Sequence, residues 1–236
     1  MASPTAGALT VTQAMADLAA KRLTQAVVVE DSQANLQANL ANLQKLTAAG
    51  KLSALSFTDS DTSLQFTAAQ INTSSALLTK VMASGVTVKV ADTAMNTARM
   101  ASRISTAFEV TVTDSAENIQ KNLTGLQTLA VTGKLDTLTF TDASPALTLK
   151  ASQFGATAAL RAKMPDAAIT ISDSAANVAK IAVTGASAIA VKDSAANVLR
   201  NFEAMRTLAA TGPSMTVALT DRAPVMTLTA AQYVGS

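Results

Sequence analysis

The segment from Val27 to Asp59, VVVEDSQANLQANLANLQKLTAAGKLSALSFTD, occurs three times in this chain. VTVTDSAENIQKNLTGLQTLAVTGKLDTLTFTD runs from Val110 to Asp142, and IAVKDSAANVLRNFEAMRTLAATGPSMTVALTD from Ile189 to Asp221, both aligning without a gap. Each is followed by a second block: LQFTAAQ from Leu64, LTLKASQ from Leu147 and MTLTAAQ from Met226. Shorter versions lie between the long ones, VTVKVADTAMN ending at Asn96 and AITISDSAAN ending at Asn177. A unit that recurs in this way cannot bury its own apolar face and must stack on its neighbours.

A finer rhythm runs inside the large repeat. Short β-branched runs end at Asp31, Asp59, Asp92, Asp114, Asp142, Asp173, Asp193 and Asp221, half of the 16 acidic residues of the chain. Their spacing is that of one strand plus one helix. VVVED, VTVTD and IAVKD read as short strands. The residues that follow place Leu36, Leu40, Leu43 and Leu46 on one face of a single long helix. Ile119, Leu123, Leu126 and Leu129 do the same in the second copy, and Val198, Phe202, Met205 and Leu208 in the third. Gly50, Gly133 and Gly212 follow, where a left-handed C-terminal cap needs no Cβ.

Strand and helix alternating in one direction imply parallel strands with helical crossovers. The expected fold is therefore α/β, a repetitive parallel strand–helix solenoid with a super-repeat of about 80 residues made of coils of about 20–33 residues. Its expected divisions are an N-terminal partial or capping coil over 1–25, repeat 1 over 26–107, repeat 2 over 108–188 and a truncated repeat 3 over 189–236, all in one continuous solenoid domain. Gln13 is expected at the position the other coils give to Asp. The first and last coils read as incomplete, which suits either an excised or frayed piece of a longer array or a stack whose open ends dock head to tail.

Five copies of Asp-Ser/Thr-x-x-Asn look at first like a possible site: Asp31, Ser32 and Asn35; Asp92, Thr93 and Asn96; Asp114, Ser115 and Asn118; Asp173, Ser174 and Asn177; Asp193, Ser194 and Asn197. A catalytic group is needed once, so five equivalent copies argue for architecture. An Asp or Ser at a strand-to-helix junction accepts hydrogen bonds from the orphan amides of the helix and complements its positive end. Asn is a poor helix former, and its recurrence, with Asn39, Asn122 and Asn201 one turn later, suggests a polar ladder running from coil to coil or to the turns.

Composition narrows the function classes. The chain has no Cys, His or Trp and a net charge of +2. No disulfide or thiolate metal site is available, and the commonest general base is missing. No phosphate-binding glycine loop or GxSxG motif occurs, so no catalytic, cofactor-binding or metal-binding residue is expected. Repeated aspartates can hold calcium, but calcium wants several carboxylates together, whereas these come one per coil. The small net charge argues against nucleic acid, and no apolar run is long enough for membrane insertion. The N-terminus lacks the basic and apolar regions of a secretory signal peptide.

DSAANV, LQTLAVTGKL, LTFTD and MTLTAAQ together resemble repeats of large bacterial cell-surface and haemolysin-type secreted proteins, over residues about 26–233. The resemblance implies export without an N-terminal signal, by a one-step machine that reads the C-terminus, and an extracellular or cell-surface location. It brings no catalytic residues. This chain departs from the calcium-binding members in having no Gly-Gly-rich nonapeptide, and TAAQYVGS does not look like the usual secretion signal. The expected function is a non-enzymatic structural repeat protein of the bacterial surface or matrix, of surface-layer, filament-forming or adhesin type, with itself as partner through open solenoid ends. The alternative is an adhesion module binding a surface protein or glycan on an exposed solenoid face, for which Phe66, Phe154 and Tyr233 are the aromatic candidates, Phe66 being the one expected in the core.

Overall fold

The computed structural model describes residues 7–230 and 232, with Thr211 described by its backbone alone. Among the described residues the chain alternates strand and helical segments, save at two places where one strand follows another directly. The first elements are α1 (Val11–Ala19), β1 (Val27–Asp31), α2 (Gln33–Ala38), α3 (Leu40–Ala48), β2 (Leu52–Phe57) and β3 (Ser63–Phe66). Then come α4 (Ala68–Thr73), α5 (Ser75–Ala83), β4 (Thr87–Asp92), α6 (Ala94–Arg99), β5 (Phe108–Asp114), α7 (Ala116–Lys121), α8 (Leu123–Val131) and β6 (Thr137–Phe140). The remainder is β7 (Ala146–Leu149), α9 (Ala151–Ala156), α10 (Ala158–Arg161), β8 (Ala168–Asp173), α11 (Ala175–Val178), β9 (Ala188–Asp193), α12 (Ala195–Arg200), α13 (Phe202–Thr211) and β10 (Ser214–Leu219).

The fold is α/β with parallel sheets. Strand order follows chain order, β1-β2, then β3-β4-β5-β6, then β7-β8-β9-β10. The pairs β1–β2, β3–β4, β4–β5, β7–β8, β8–β9 and β9–β10 are all parallel. Leu9 adds a parallel bridge to Val29 ahead of β1. The order contains no reversal of the kind that marks a doubly wound sheet.

Packing divides the chain into two compact units, Met1–Thr113 with Thr128–Leu138, and Asp114–Gln127 with Thr139–Ser236. These limits do not follow the repeat limits: the chain passes between the units inside β5, inside α8 and inside β6.

The first unit is built on β1–β5, with Val29, Val88, Val90, Val110 and Val112 buried. Its helix α3 packs against α1 and α5, and α5 packs on β2. The second unit is built on β7–β10 and buries Leu147, Leu149, Ile169, Ile171, Ile189 and Val191. The expected apolar stripe is buried completely in the first two repeats. In the third, Val198 and Met205 are buried while Phe202 and Leu208 are only half-buried.

Three expectations about local structure are corrected. The long helix of each repeat is two helices, broken at Asn39, Asn122 and Asn201 with φ near −110° and ψ between 12° and 22°. Gly50 and Gly133 take left-handed caps at φ 67°, but Gly212 is extended at φ −118°. The reason is Pro213, which forces the preceding residue out of helical geometry. A Cβ on Gly212 would lie 2.6 Å from the Leu208 carbonyl oxygen, so the glycine serves close approach instead. Gln13 does not sit at an Asp position. It is the third residue of α1, its side chain accepting from the Thr10 N–H while the Thr10 hydroxyl accepts from the Gln13 N–H, a capping box. Residues 225–228, whose equivalents make β3 and β7, form no strand.

Candidate functional site

The Asp junctions are the most repeated chemistry in the molecule. Ser32, Thr93, Ser115, Ser174 and Ser194 are N-caps of α2, α6, α7, α11 and α12. Each hydroxyl oxygen accepts from the backbone N–H of Asn35, Asn96, Asn118, Asn177 or Asn197 at 3.2–3.4 Å. The preceding Asp presents Oδ1 to two donors. One is the N–H of the cap residue at 2.7–3.0 Å. The other is Nδ2 of the Asn at 2.7–2.9 Å. Asp, Ser or Thr, and Asn therefore close one ring at the start of one helix.

The second carboxylate oxygen reaches the preceding strand–helix unit. Oδ2 of Asp31 accepts from the Val11 N–H, that of Asp92 from Ala68, that of Asp173 from Ala151 and that of Asp193 from Ala175. Asp59, Asp142 and Asp221, which have no Ser-x-x-Asn after them, make the same bond to Gln33, Ala116 and Ala195. In all seven the distance is 2.6–3.2 Å and the donor is the first residue of a helix whose amide has no partner within that helix. Negative charge at that end also suits the helix dipole. The unit-to-unit bond expected of asparagine is thus made by aspartate, and the asparagine holds that aspartate in place.

Asn39, Asn122 and Asn201 act one turn later. The Asn39 N–H bonds to the Leu36 carbonyl rather than to that of Asn35, and Asn39 Nδ2 donates to the Asn35 carbonyl at 2.9 Å. Asn122 makes the same side-chain bond to Asn118 at 2.8 Å, and Asn201 to Asn197 at 2.9 Å. At Asn39 and Asn122 the side-chain amide replaces a backbone donor drawn away by the helix break, while at Asn201 it joins a backbone N–H that still reaches the Asn197 carbonyl at 3.3 Å.

Electrostatics follow from the geometry. For Asp193 the Asn197 side chain, then the Ser194 amide, hold the carboxyl below its usual value of 3.8 against the opposing effect of burial. For Asp173, burial pushes upward, but the bonds from Asn177, Ser174 and Ala151 outweigh it and the pKa is again lowered. With both oxygens facing N–H donors, these carboxylates present the wrong surroundings for a general base or a cation ligand. Among the described residues no group of three acidic, His or Cys side chains is placed to hold a metal ion.

Glutamines form a second set of contacts that sequence reasoning missed. Gln37 of α2 donates to the Gln65 carbonyl at 2.9 Å and accepts from its N–H at 2.7 Å, plugging the edge of β3 as a short strand would. Gln120 accepts from the Thr148 N–H at 2.7 Å beside β7. Gln44 bonds to Ser74, and Gln127 accepts from the Leu160 N–H at 2.9 Å. Their signal was the invariant spacing of Gln37 and Gln44 within the first two repeats. It breaks in the third, where Leu199 and Arg206 stand at these positions.

Two of the three aromatic candidates for a binding face do not serve one. Phe66 and Phe154 are both buried, and Tyr233 lies outside the described residues, as do all but Thr229, Ala230 and Gln232 of TAAQYVGS. Phe154 instead supports the Arg161 guanidinium 3.7 Å above its ring. Nη1 of Arg161 donates to the Thr184 carbonyl at 3.2 Å, and desolvation lowers its pKa. No helix among the described residues is long and apolar enough to cross a membrane.

No family model matches this chain, and neither a curated protein nor a solved structure does.

Proposed function

We propose that this chain is a structural, non-enzymatic repeat protein whose strand–helix units stack as an α/β solenoid and which associates with itself. The observation that supports this best is the aspartate junction. Seven times, one carboxylate oxygen is used to fasten a unit to the one before it. A residue type repeated for that task is invested in stacking, and its acceptor capacity is used there rather than on a substrate. The sequence resemblance to bacterial surface and secreted repeat proteins supports placing it at the cell surface or in the extracellular matrix, exported without an N-terminal signal.

The test is electron microscopy of the native protein together with light scattering over a concentration series. Ordered polymers or a mass rising with concentration are expected. A monodisperse monomer at every concentration overturns the self-associating role.

A further inference from the structure

The second unit holds a charged side chain that departs from the repeat. Thr67-x-x-Gln70 and Lys150-x-x-Gln153 open equivalent helices, α4 and α9. Counting from the two glutamines puts Arg161 at the position of Leu78 and Phe154 at that of Ile71. Leu78 is buried core, whereas Arg161 is a half-buried cation.

The surroundings of Arg161 are fitted to it. The Phe154 ring lies under the guanidinium at 3.7 Å, a stacking that suits arginine better than lysine. The turn between α11 and β9 passes close by: a Cβ on Gly185 would lie 3.1 Å from Nη1, and Gly185 has a φ of 86°, which L side chains rarely adopt. Beside it the Thr184 carbonyl accepts from Nη1 at 3.2 Å. Among the described residues no carboxylate pairs with Arg161, and its Nε is buried with no acceptor. A guanidinium has five N–H donors, and a buried donor left unpaired is uncommon in a folded protein.

Arg161 borders a cleft of about 320 Å³, at the lower end of the range for small-molecule pockets. Every other lining residue is Ala, Met, Pro, Ile or Gly. Repeat 1 has a cleft at the corresponding place, along Ser75, Leu78, Thr79 and Met82 of α5 and the residue before its cap. There the arginine is Arg103, an exposed residue of the turn after α6. In the second cleft the cation stands in the helix wall itself.

One positive charge, a planar donor fork and an apolar wall define what fits. A single arginine balances a monoanion, and its fork matches the two oxygens of a carboxylate. Met164, Ile169 and the alanines suit a hydrocarbon body. A phosphate dianion would find no second cation in the lining and no use for the apolar wall.

We infer that the cleft formed by α10 and the turn before β9 binds a small monocarboxylate with a short hydrocarbon body, its carboxylate held by Arg161. The site does not depend on self-association.

Hexanoate titrated into the isotope-labelled full chain tests it, followed by NMR at the Arg161 Nε–H and at the Ala162 and Gly185 amides. All three signals are expected to shift and to saturate. R161L restores the side chain that repeat 1 has at this position, so the fold is expected to persist by circular dichroism. Hexanoate affinity, read at the two amides, is expected to fall about tenfold or more in R161L, because charge-assisted hydrogen bonds are lost. Neutral hexanamide and inorganic phosphate are each expected to bind wild type about tenfold more weakly than hexanoate. No saturable shift with hexanoate, or equal affinity in R161L, overturns the site. Equal affinity for hexanamide or phosphate overturns the ligand class. Should R161L not fold, R161Q takes its place with the same expectation.

Discussion

Asp193 illustrates how one side chain can serve two helices. Its Oδ1 accepts from Ser194 and Asn197 and its Oδ2 from Ala175. Asp193→Ala removes a charged acceptor from all three and is expected to cost about 1–2 kcal/mol in urea unfolding, the range of lost helix caps. Asp166→Ala, at an exposed position outside the junctions, should stay within about 0.5 kcal/mol. The pH dependence follows from the same bonds. Asp173 and Asp193 have native pKa values below the ordinary 3.8, so the unfolded chain binds protons first as the solution is acidified. Their stabilisation is fully present above the ordinary value and is lost as pH falls through the depressed native values. Urea midpoints should therefore be level at neutral pH and fall below about pH 4, with a smaller fall in Asp193→Ala. A fall equal to wild type would show that the junction does not contribute.

Helices and strands are joined by side chains that imitate backbone. Gln37 fills both hydrogen-bonding groups of Gln65 on the edge of β3. Gln37→Ala should speed hydrogen exchange at the Gln65 amide and lower stability by about 1 kcal/mol. Exchange at Gln65 unchanged from wild type would count against the plug. The third repeat has Leu199 in place of this glutamine, and there residues 225–228 form no strand. Helix α6 shows the opposite lapse. Thr97 occupies the buried position that Leu36 and Ile119 hold elsewhere, and its hydroxyl is buried without a hydrogen-bond partner among the described residues. Thr97→Val keeps the shape and removes the unsatisfied group, so the melting temperature should rise, by the equivalent of about 1 kcal/mol. A lower melting temperature would mean that the hydroxyl has a partner.

For the molecule as a whole, the pattern of junctions bears on cations. Each junction aspartate described above has backbone N–H groups against its oxygens, so positive dipole ends occupy the space that a cation would need. Chelator treatment and added calcium should both leave the melting temperature unchanged, measured by calorimetry. A rise with calcium would require carboxylates to gather in a way this structure does not show. The division into two compact units could not be read from the repeat, because every copy has the same apolar stripe whichever unit it joins.

Periodicity alone placed the strands, the buried leucines and the serine caps, since these depend on neighbours within one strand–helix unit. It also marked Asp and Asn as structural, because identical spacing recurred where no single reaction could use it. It could not assign their partners. The pattern left the Asn to reach either the next coil or the turns and the Asp its own helix; Asn35 turns back to Asp31 at the junction, and Asp31 Oδ2 caps Val11, 20 residues away in sequence. Breaks at Asn39, Asn122 and Asn201 were equally hidden, since an apolar stripe continues across a kink. Local pattern determines which atoms a unit can offer. Which donor each carboxylate oxygen meets is set by how parallel strands bring one helix start beside the next strand end, and that placement exists only once the units are packed.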